Sequence, residues 1–344
     1  MSQKNSNALS KTHRYLLKNL GDNKIFQIYK KFDNNFKLKQ NFIVAVSGGP
    51  DSLALAFLTK IYSIKKSLNI EYFIVDHGLR KTSSSEAKLV KKLLNKHNIN
   101  LKVLKWSGIK PKSNIQSLAR EKRYSLLINQ AKKLNIRNIV VGHHIDDLYE
   151  NFFIRISRGV GLNGLVSFNE KTTNKKINFL RPLINFEKKD LIYVANYIFK
   201  SYVNDPSNED KKFKRTRIRN LIKSLQTEGF DKKKFLLTLK NLSDSNKTIN
   251  FYVEKNLREN SFFNSKKNEF ILSKEFLNQP HEIIFRSFTN IIKYVGNKYY
   301  PPRGKKVDKV ISILKNQNNT YSKLTLGNCT ICIVNNSVIV AKEQ

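Results

Sequence analysis

The sequence predicts an α/β fold: a parallel sheet with helices on both faces, followed by a smaller helical C-terminal region that ends in short strands. Three observations carry this prediction. Short, apolar, β-branched runs recur through the first two thirds of the chain, at residues 42–46, 72–75, 101–104 and 138–141. Helical apolar periodicity fills the gaps between them, at 53–67, 84–96 and 115–134. A glycine turn, Ser47-Gly48-Gly49-Pro50-Asp51-Ser52, joins the first strand to the first of these helices. Strands that alternate with helices pair in parallel, since each helix returns the chain to the same end of the sheet. Runs that are apolar on both faces are what a strand covered on both sides requires.

Taken in order, residues 1–38 form a leading helical segment, with Tyr15, Leu16, Leu17 and Leu20 as its apolar face. An α/β domain is expected over 39–228, and a separate C-terminal region over 229–344. In the turn after the first strand, the glycines let the backbone bend and present its N–H groups. Pro50 suits the first helical position, where no N–H is needed. The exposed N–H groups and the positive end of the helix dipole favour an anion, so strand, turn and helix form a phosphate cradle. Neither G-x-x-x-x-G-K-[ST] nor G-x-G-x-x-G is present. Ser83 followed by Glu86 predicts a capping box at the next helix.

Ligands of parallel sheets bind at the carboxyl ends of the strands. The second strand is followed by Asp76-His77-Gly78-Leu79-Arg80, and the fourth by Gly142-His143-His144-Ile145-Asp146-Asp147-Leu148-Tyr149-Glu150. Adjacent histidines point different ways and make a poor ligand pair, and His-x-x-x-His spacing is missing, which disfavours a zinc site. Asp147 and Glu150, three residues apart, share a helix face. Beside a phosphate cradle they can hold magnesium, bind a cationic substrate or accept a proton. The helix dipole alone would also favour acids there.

From about residue 229 the pattern turns helical, near 242–257, 280–294 and 306–316. Tyr299-Tyr300-Pro301-Pro302-Arg303-Gly304-Lys305-Lys306 interleaves rings with cations, which suits RNA and equally suits a loop packed on the last helix. Short strands at 321–326, 329–334 and 337–341 follow, joined by Gly327-Asn328 and Asn335-Asn336 turns. Cys329 and Cys332 fall on opposite faces of the middle one.

The 344 residues suffice for two or three domains, and 64 Lys+Arg against 26 Asp+Glu give a formal net charge of +38. Part of that excess is solvated lysine surface. The remainder points to a polyanion, nucleic acid before membrane. Two cysteines exclude a disulfide framework. With no apolar run long enough to cross a bilayer and no signal pattern at the start, a cytoplasmic protein is expected.

The loop resembles the S-G-G-x-D-S signature of the PP-loop ATP pyrophosphatases, of the adenine nucleotide alpha hydrolase-like class. From about Phe42 to Leu225 the chain is similar to the tRNA(Ile)-lysidine synthetase family. The carriers are Val75-Asp76-His77-Gly78-Leu79-Arg80; Asn114-Ile115-Gln116-Ser117-Leu118-Ala119-Arg120 with Arg123-Tyr124; and Gly142-His143-His144 with Asp146, Asp147 and Glu150. Arg158-Gly159 with Gly161 and Gly164-Leu165, Arg181-Pro182-Leu183, and Asp205-Pro206-Ser207-Asn208 with Arg215 and Arg219 complete the set. The chain departs from the family at Asn151, often threonine, and at Thr216, often asparagine.

The resemblance implies a carbon–nitrogen ligase of tRNA modification. ATP would adenylate ring position 2 of the wobble cytidine in the CAU-anticodon isoleucine tRNA. Free L-lysine would then displace AMP and leave lysidine. Ser47, Gly48, Gly49, Pro50, Asp51 and Ser52 would bind ATP, with Asp51 on Mg2+. Asp51, Asp147, Glu150, Arg120 and Arg215 would form the catalytic set. A homodimer is one expected assembly. A PP-loop thiolase would need cysteines near the ATP domain, and none precedes Cys329. The charge, and the absence of an ammonia-generating domain, count against a small-molecule amidating enzyme. A non-catalytic RNA-binding protein would have no use for an intact loop beside Asp147 and Glu150.

Overall fold

A computed structural model describes residues 11–80, 82–108, 115–168, 171–174, 176–204, 212, 214–298, 301–316 and 323–343. Asn114, Asp205-Pro206-Ser207-Asn208, Tyr299, Tyr300 and Tyr321 lie outside the described residues. The chain divides into two compact units, residues 1–231 and 232–344.

In the first unit the leading segment is two helices, α1 (Lys11–Lys18) and α2 (Asn23–Asn35), separated by a 3-10 turn. The break follows from Asp22, whose carboxylate accepts the Ile25 N–H at 2.8 Å and starts α2 afresh. Leu16 is buried as expected, whereas Tyr15 is 56% exposed and lies outside the apolar face. The alternating elements follow: β1 (Phe42–Val46), α3 (Pro50–Lys66), β2 (Ile70–Asp76), α4 (Ser83–Asn95), β3 (Leu101–Lys105), α5 (Ile115–Lys133), β4 (Asn138–Val141) and α6 (Ile145–Ile156). Then come a single turn α7 (Leu162–Leu165), a hairpin of β5 (Lys171–Asn174) and β6 (Ile177–Leu180), α8 (Lys188–Phe199) and α9 (Lys214–Thr227).

The sheet order is β3-β2-β1-β4-β6-β5; β5 alone runs antiparallel. The sequence reading missed β5 and β6, because they are short and mostly polar and lack the apolar runs of the inner strands. Successive residues feed opposite cores. Val44, Val46, Tyr72 and Ile74 pack with α2, α3 and α8, while Ile43, Phe73, Val75, Ile139 and Val141 pack on Leu127, Ile128 and Ala131 of α5. From β1 the chain goes one way to β2 and β3; on its other side lies β4. The crevice for a ligand therefore opens between the carboxyl ends of β1 and β4.

The capping box expected from Ser83 and Glu86 does not form. The helix already starts at Ser83, with Thr82 as its uncapped N-cap residue. Ser83 Oγ donates to Asp76 Oδ1 at 2.5 Å instead and accepts the Gly78 N–H, and Glu86 pairs with Arg80 at 3.4 Å. A charged acceptor at the end of β2 outcompetes a helix N–H for the hydroxyl.

The second unit opens with α10 (Lys232–Asn260), longer than its apolar pattern suggests, and a hairpin of β7 (Ser261–Asn264) and β8 (Glu269–Leu272) that the sequence reading missed. After α11 (Lys274–Leu277), α12 (His281–Val295) and α13 (Gly304–Lys315) come β9 (Leu324–Leu326), β10 (Cys329–Val334) and β11 (Ser337–Lys342). The five strands form an antiparallel sheet, β7-β8-β11-β10-β9. Asn335 and Asn336 both have positive φ, 47° and 61°, as the predicted turn demands. Cys329 is fully buried and Cys332 is half-buried, on alternate faces. Among the described residues no helix is long and apolar enough to cross a membrane.

Candidate active site

The 47–52 loop closes on the hydroxyl of Ser52. Its Oγ accepts the N–H groups of Ser47 and Gly48, each at 3.1 Å, and donates to Gly49 O at 3.0 Å. Gly48 sits at φ +88°, and a Cβ there would lie 2.7 Å from Val90 Cγ2. Only glycine adopts that conformation in that space. Pro50 opens α3, so the N–H groups of Asp51 and Ser52 lie in the first turn, where a helix has no acceptor of its own to offer. Replacing Ser52 by alanine leaves the Ser47 and Gly48 donors without that acceptor. The expected result is a loss of about 1–3 kcal/mol of stability in urea melts and a raised KM for ATP.

A histidine and two acids at the start of α6 gather at the loop's own Asp51. Gly142, just after β4, comes so close to α3 that a Cβ would stand 3.2 Å from Asp51 O. His144 then starts α6. It accepts the Asp146 N–H on Nδ1 at 3.2 Å, and its own N–H goes to Asp147 Oδ2 at 3.1 Å. Its Nε2 lies 3.5 Å from Asp51 Oδ2 and 3.7 Å from Asp147 Oδ2. Burial pulls the imidazole down, but Asp51, Asp147 and Asp146 together lift it above its ordinary value. Burial opposes ionisation of Asp147, yet His143, His144, Arg215 and the His144 N–H hold it below the usual carboxylate range.

Glu150, one turn on, is 3% exposed. Arg219 Nε donates to its Oε1 at 2.6 Å. Arg215 Nε stands 2.9 Å from Oε2, an ion-pair contact out of line for a hydrogen bond, and Arg215 Nη2 reaches Asp147 Oδ1 at 3.6 Å. The i, i+4 spacing on α9 thus aims both arginines at one carboxylate. Asp51, Asp147, Glu150 and Arg215 are brought together with the loop. Arg120 lies on α5, exposed, donating to Tyr124 OH at 3.1 Å with its guanidinium over that ring, and near enough to His143 for its charge to act there. Thr216, a departure from the family pattern, is buried on α9.

Sequence reasoning treats His144 as a poor metal ligand and as part of a motif; its link between Asp51 and Asp147 needed the approach of α3 and α6. Arg181 was recorded only as part of a motif. It is buried, with its guanidinium 4.6 Å over Phe168 and Nη2 donating to Thr172 Oγ1 at 3.2 Å. Arg155 holds the turn after α6 by donating to Gly164 O and Ser167 Oγ.

Burial, partly opposed by Asp147 and reinforced by Arg120, Arg181 and Arg215, pushes His143 down to about 3. The unfolded chain takes up this proton near 6.5, and the folded one refuses it. Stability therefore falls as pH drops from about 6.5 toward 3. Between about pH 7 and pH 5, wild type should lose about 2 kcal/mol more than His143→Leu protein in urea melts. Equal losses would show that His143 is not held neutral.

Mg2+ normally takes one or two carboxylates and completes its shell with substrate oxygens and water. The residues present fit that donor set. Asp51 Oδ1 is buried without a hydrogen-bond partner beside the loop, and among the described residues no group of three His, Cys, Asp or Glu forms a self-sufficient cage.

Residues 21–225 match the PP-loop domain family. A tRNA(Ile)-lysidine synthase of Wolbachia pipientis wMel is 32% identical over 309 residues, covering 88% of this chain and 70% of that one. The one of Orientia tsutsugamushi is 32% identical over 319 residues, covering 91% and 71%. That of Rhodopseudomonas palustris is 37% identical over 199 residues, covering 57% and 58%. Among solved structures, the U34-tRNA thiolase NcsA of Methanococcus maripaludis, with its [4Fe-4S] cluster, superposes with a TM-score of 0.55 at 16% identity. It covers 65% of this chain and 80% of that one, and the likeness is one of fold.

Proposed function

The chain belongs to the tRNA(Ile)-lysidine synthase family of PP-loop proteins, and from that premise we propose that it ligates free L-lysine to the wobble cytidine of the CAU-anticodon isoleucine tRNA. The observation that carries the reading is the meeting, between the ends of β1 and β4, of a phosphate-binding loop with the His144-centred acids and the arginines of α9.

The carbonyl oxygen at ring position 2 of cytidine is a poor leaving group. Its attack on the α-phosphate of ATP turns it into an adenylate and releases pyrophosphate. The first-turn N–H groups of α3 face the charge that builds on pyrophosphate, a preorganised electrostatic stabilisation. Mg2+ would be held by Asp51 and would neutralise phosphate charge. Lysine then forms the C–N bond, AMP leaves with the former carbonyl oxygen, and the nitrogen gives up its protons.

The lysine amine carries a proton at neutral pH, with a pKa of about 10.4. Asp147, ionised and engaged by Arg215 only at 3.6 Å, is the better seat for that ammonium. Glu150 has an arginine within 3 Å of each oxygen, so its part is to aim Arg215 and Arg219. Asp147, held below the usual carboxylate range, is a weak base. It takes the proton once bond formation has made the nitrogen acidic. Arg120 and Arg215 are assigned to phosphate and developing adenylate charge.

A thiolase reading has no support beyond the shared fold. Both cysteines lie in the second unit, and burial pushes the Cys329 thiol up to about 11, away from the reactive thiolate. The C-terminal unit as tRNA-recognition region, a cytoplasmic location and a homodimer complete the proposal.

The test is incorporation of labelled lysine into the isoleucine tRNA, with and without ATP, and with methionine tRNA as control. ATP-dependent labelling of the isoleucine tRNA alone is the expected result. Pyrophosphate release without labelling would reject lysine as the nucleophile.

A further inference from the structure

The far end of α6 carries a cluster of positive charge that the chemistry above leaves without a role. The helix closes on two backbone hydrogen bonds. Val160 N–H donates to Arg155 O at 3.2 Å and Gly159 N–H to Ile156 O at 2.9 Å, with Gly159 at φ +64°. This closure satisfies the last carbonyls from the backbone itself. Arg155 is engaged by the turn that follows, donating to Gly164 O and Ser167 Oγ. Arg158, the residue before the left-handed glycine, is exposed and has no helix carbonyl left to cap.

Two further arginines, from α5 and from the segment after β6, lie within range of this end. Burial pulls the Arg155 guanidinium below its ordinary value, and the charges of Arg120 and Arg158 pull it further. Burial also pulls Arg181 down; Tyr124 and Asp147 oppose this, while Arg120 and Arg155 reinforce it. Two of the four are fixed on rings, Arg120 over Tyr124 at 5.1 Å and Arg181 over Phe168 at 4.6 Å. Among the described residues the acids of this rim pair with His144, Arg215 and Arg219, and none pairs with Arg155 or Arg158. The dipole of α6 would favour cations at its own end, but it gives no reason for Arg120 and Arg181 to join them. Like charges gathered from separate elements repel until an anion arrives.

The phosphates of ATP are too far away to be that anion. The 47–52 loop meets the start of α6, at His144 and Asp147. Arg158 comes eleven positions after Asp147, about 16 Å on at 1.5 Å per residue, farther than its side chain can span. A cytidine whose O2 meets the α-phosphate at the loop must send its own backbone outward along this rim. A phosphodiester next to it is the anion within reach. Guanidinium suits that partner, since its paired N–H donors match phosphate oxygens. Such contacts fix register and leave sequence to be read elsewhere.

We propose that Arg158 grips a backbone phosphate beside the wobble cytidine, in the field of Arg120, Arg155 and Arg181, and so sets which nucleotide of the anticodon loop stands at the ATP phosphates. The inference rests on the reading that this chain modifies that cytidine.

The test measures binding of isoleucine tRNA to the whole chain. The RNA is assembled with one uncharged methylphosphonate linkage at each position around the cytidine in turn. Wild type should lose about fivefold to tenfold in affinity at one of these linkages. Arg158→Gln protein should bind unmodified tRNA that much more weakly, with a salt slope smaller by about 1, and should be indifferent to the same linkage. It should melt like wild type and keep the KM values for ATP and lysine. Arg158→Lys should recover part of the affinity. Lys91→Gln, which removes one charge from α4, should bind like wild type. Wild-type affinity in Arg158→Gln overturns the proposal, as does an equal loss in Lys91→Gln, since net charge alone would then be responsible. Losses that add at every linkage overturn it too, because Arg158 would then touch none of them. A raised KM for ATP with unchanged tRNA affinity would make the cluster a subsite for free phosphates instead. Pyrophosphate release and lysine transfer are followed in the same preparations. The absence of both from wild-type protein that binds tRNA through Arg158 would reject the assigned reaction and leave the contact standing.

Discussion

Asp51→Asn protein is expected to release pyrophosphate from ATP about 10²–10³-fold more slowly than wild type in the presence of isoleucine tRNA, the size of effect seen when one preorganised charge or donor is removed from a reacting centre. The substitution keeps the shape of the side chain. It removes the charge whose Oδ1 is buried without a partner beside the loop and whose Oδ2 lies 3.5 Å from His144 Nε2. If Asp51 only fixed the loop, asparagine would preserve most of the rate and melting would report the loss. If Asp51 meets magnesium and phosphate, the rate falls while the melting temperature stays near that of wild type. A second readout is independent of activity. Asp51 is one of three carboxylates that lift His144, so the imidazole should titrate at lower pH in the variant, as followed by NMR. Unchanged titration together with an unchanged rate would remove Asp51 from the site.

Glu150→Ala should both destabilise the first unit and disable the site. Breaking a buried ion pair by removing one partner costs about 3–5 kcal/mol, because a charge is left buried alone. Here the two arginines that remain are about one third exposed, and water screens them, so about 2–3 kcal/mol is the expectation. In a unit of this size that lowers the melting temperature by roughly 5–10 °C. Glu150→Gln separates packing from charge. It keeps the volume and a partner for Arg219, and it frees Arg215 to swing from Asp147. Pyrophosphate release and lysine transfer should then fall together, since both need Arg215 in place. A rise in the KM for lysine alone, with pyrophosphate release intact, would show that Glu150 and not Asp147 seats the lysine ammonium.

Much of the first unit was legible because local pattern and burial agree there. The runs at 42–46 and 138–141 are strands to the residue, since a strand covered on both faces must be apolar apart from a hydrogen-bonded end such as Asn138. The loop could be read because glycine at φ +88° and proline at the first helical position are local requirements. Hairpin β5–β6, with Lys171-Thr172-Thr173-Asn174 as its outer strand, carries no such signal and forms only because β4 offers β6 an open edge. Ser83 shows the limit of local rules: a capping box fits the sequence, but Asp76, seven residues back, sits at the end of an adjacent strand and takes the hydroxyl.

The sequence alone determined which groups stand at the rim of the sheet, because strand ends, glycine turns and helix starts are decided by short-range sterics and apolar periodicity. Only the tertiary structure decided their partners. Glu150 meets Arg215 and Arg219 across 65 and 69 positions of chain, and His144 meets Asp51 across 93. Pairings at that distance depend on how α3, α6 and α9 pack around the β1–β4 crevice. Spacing along a chain carries no information about them until the packing exists.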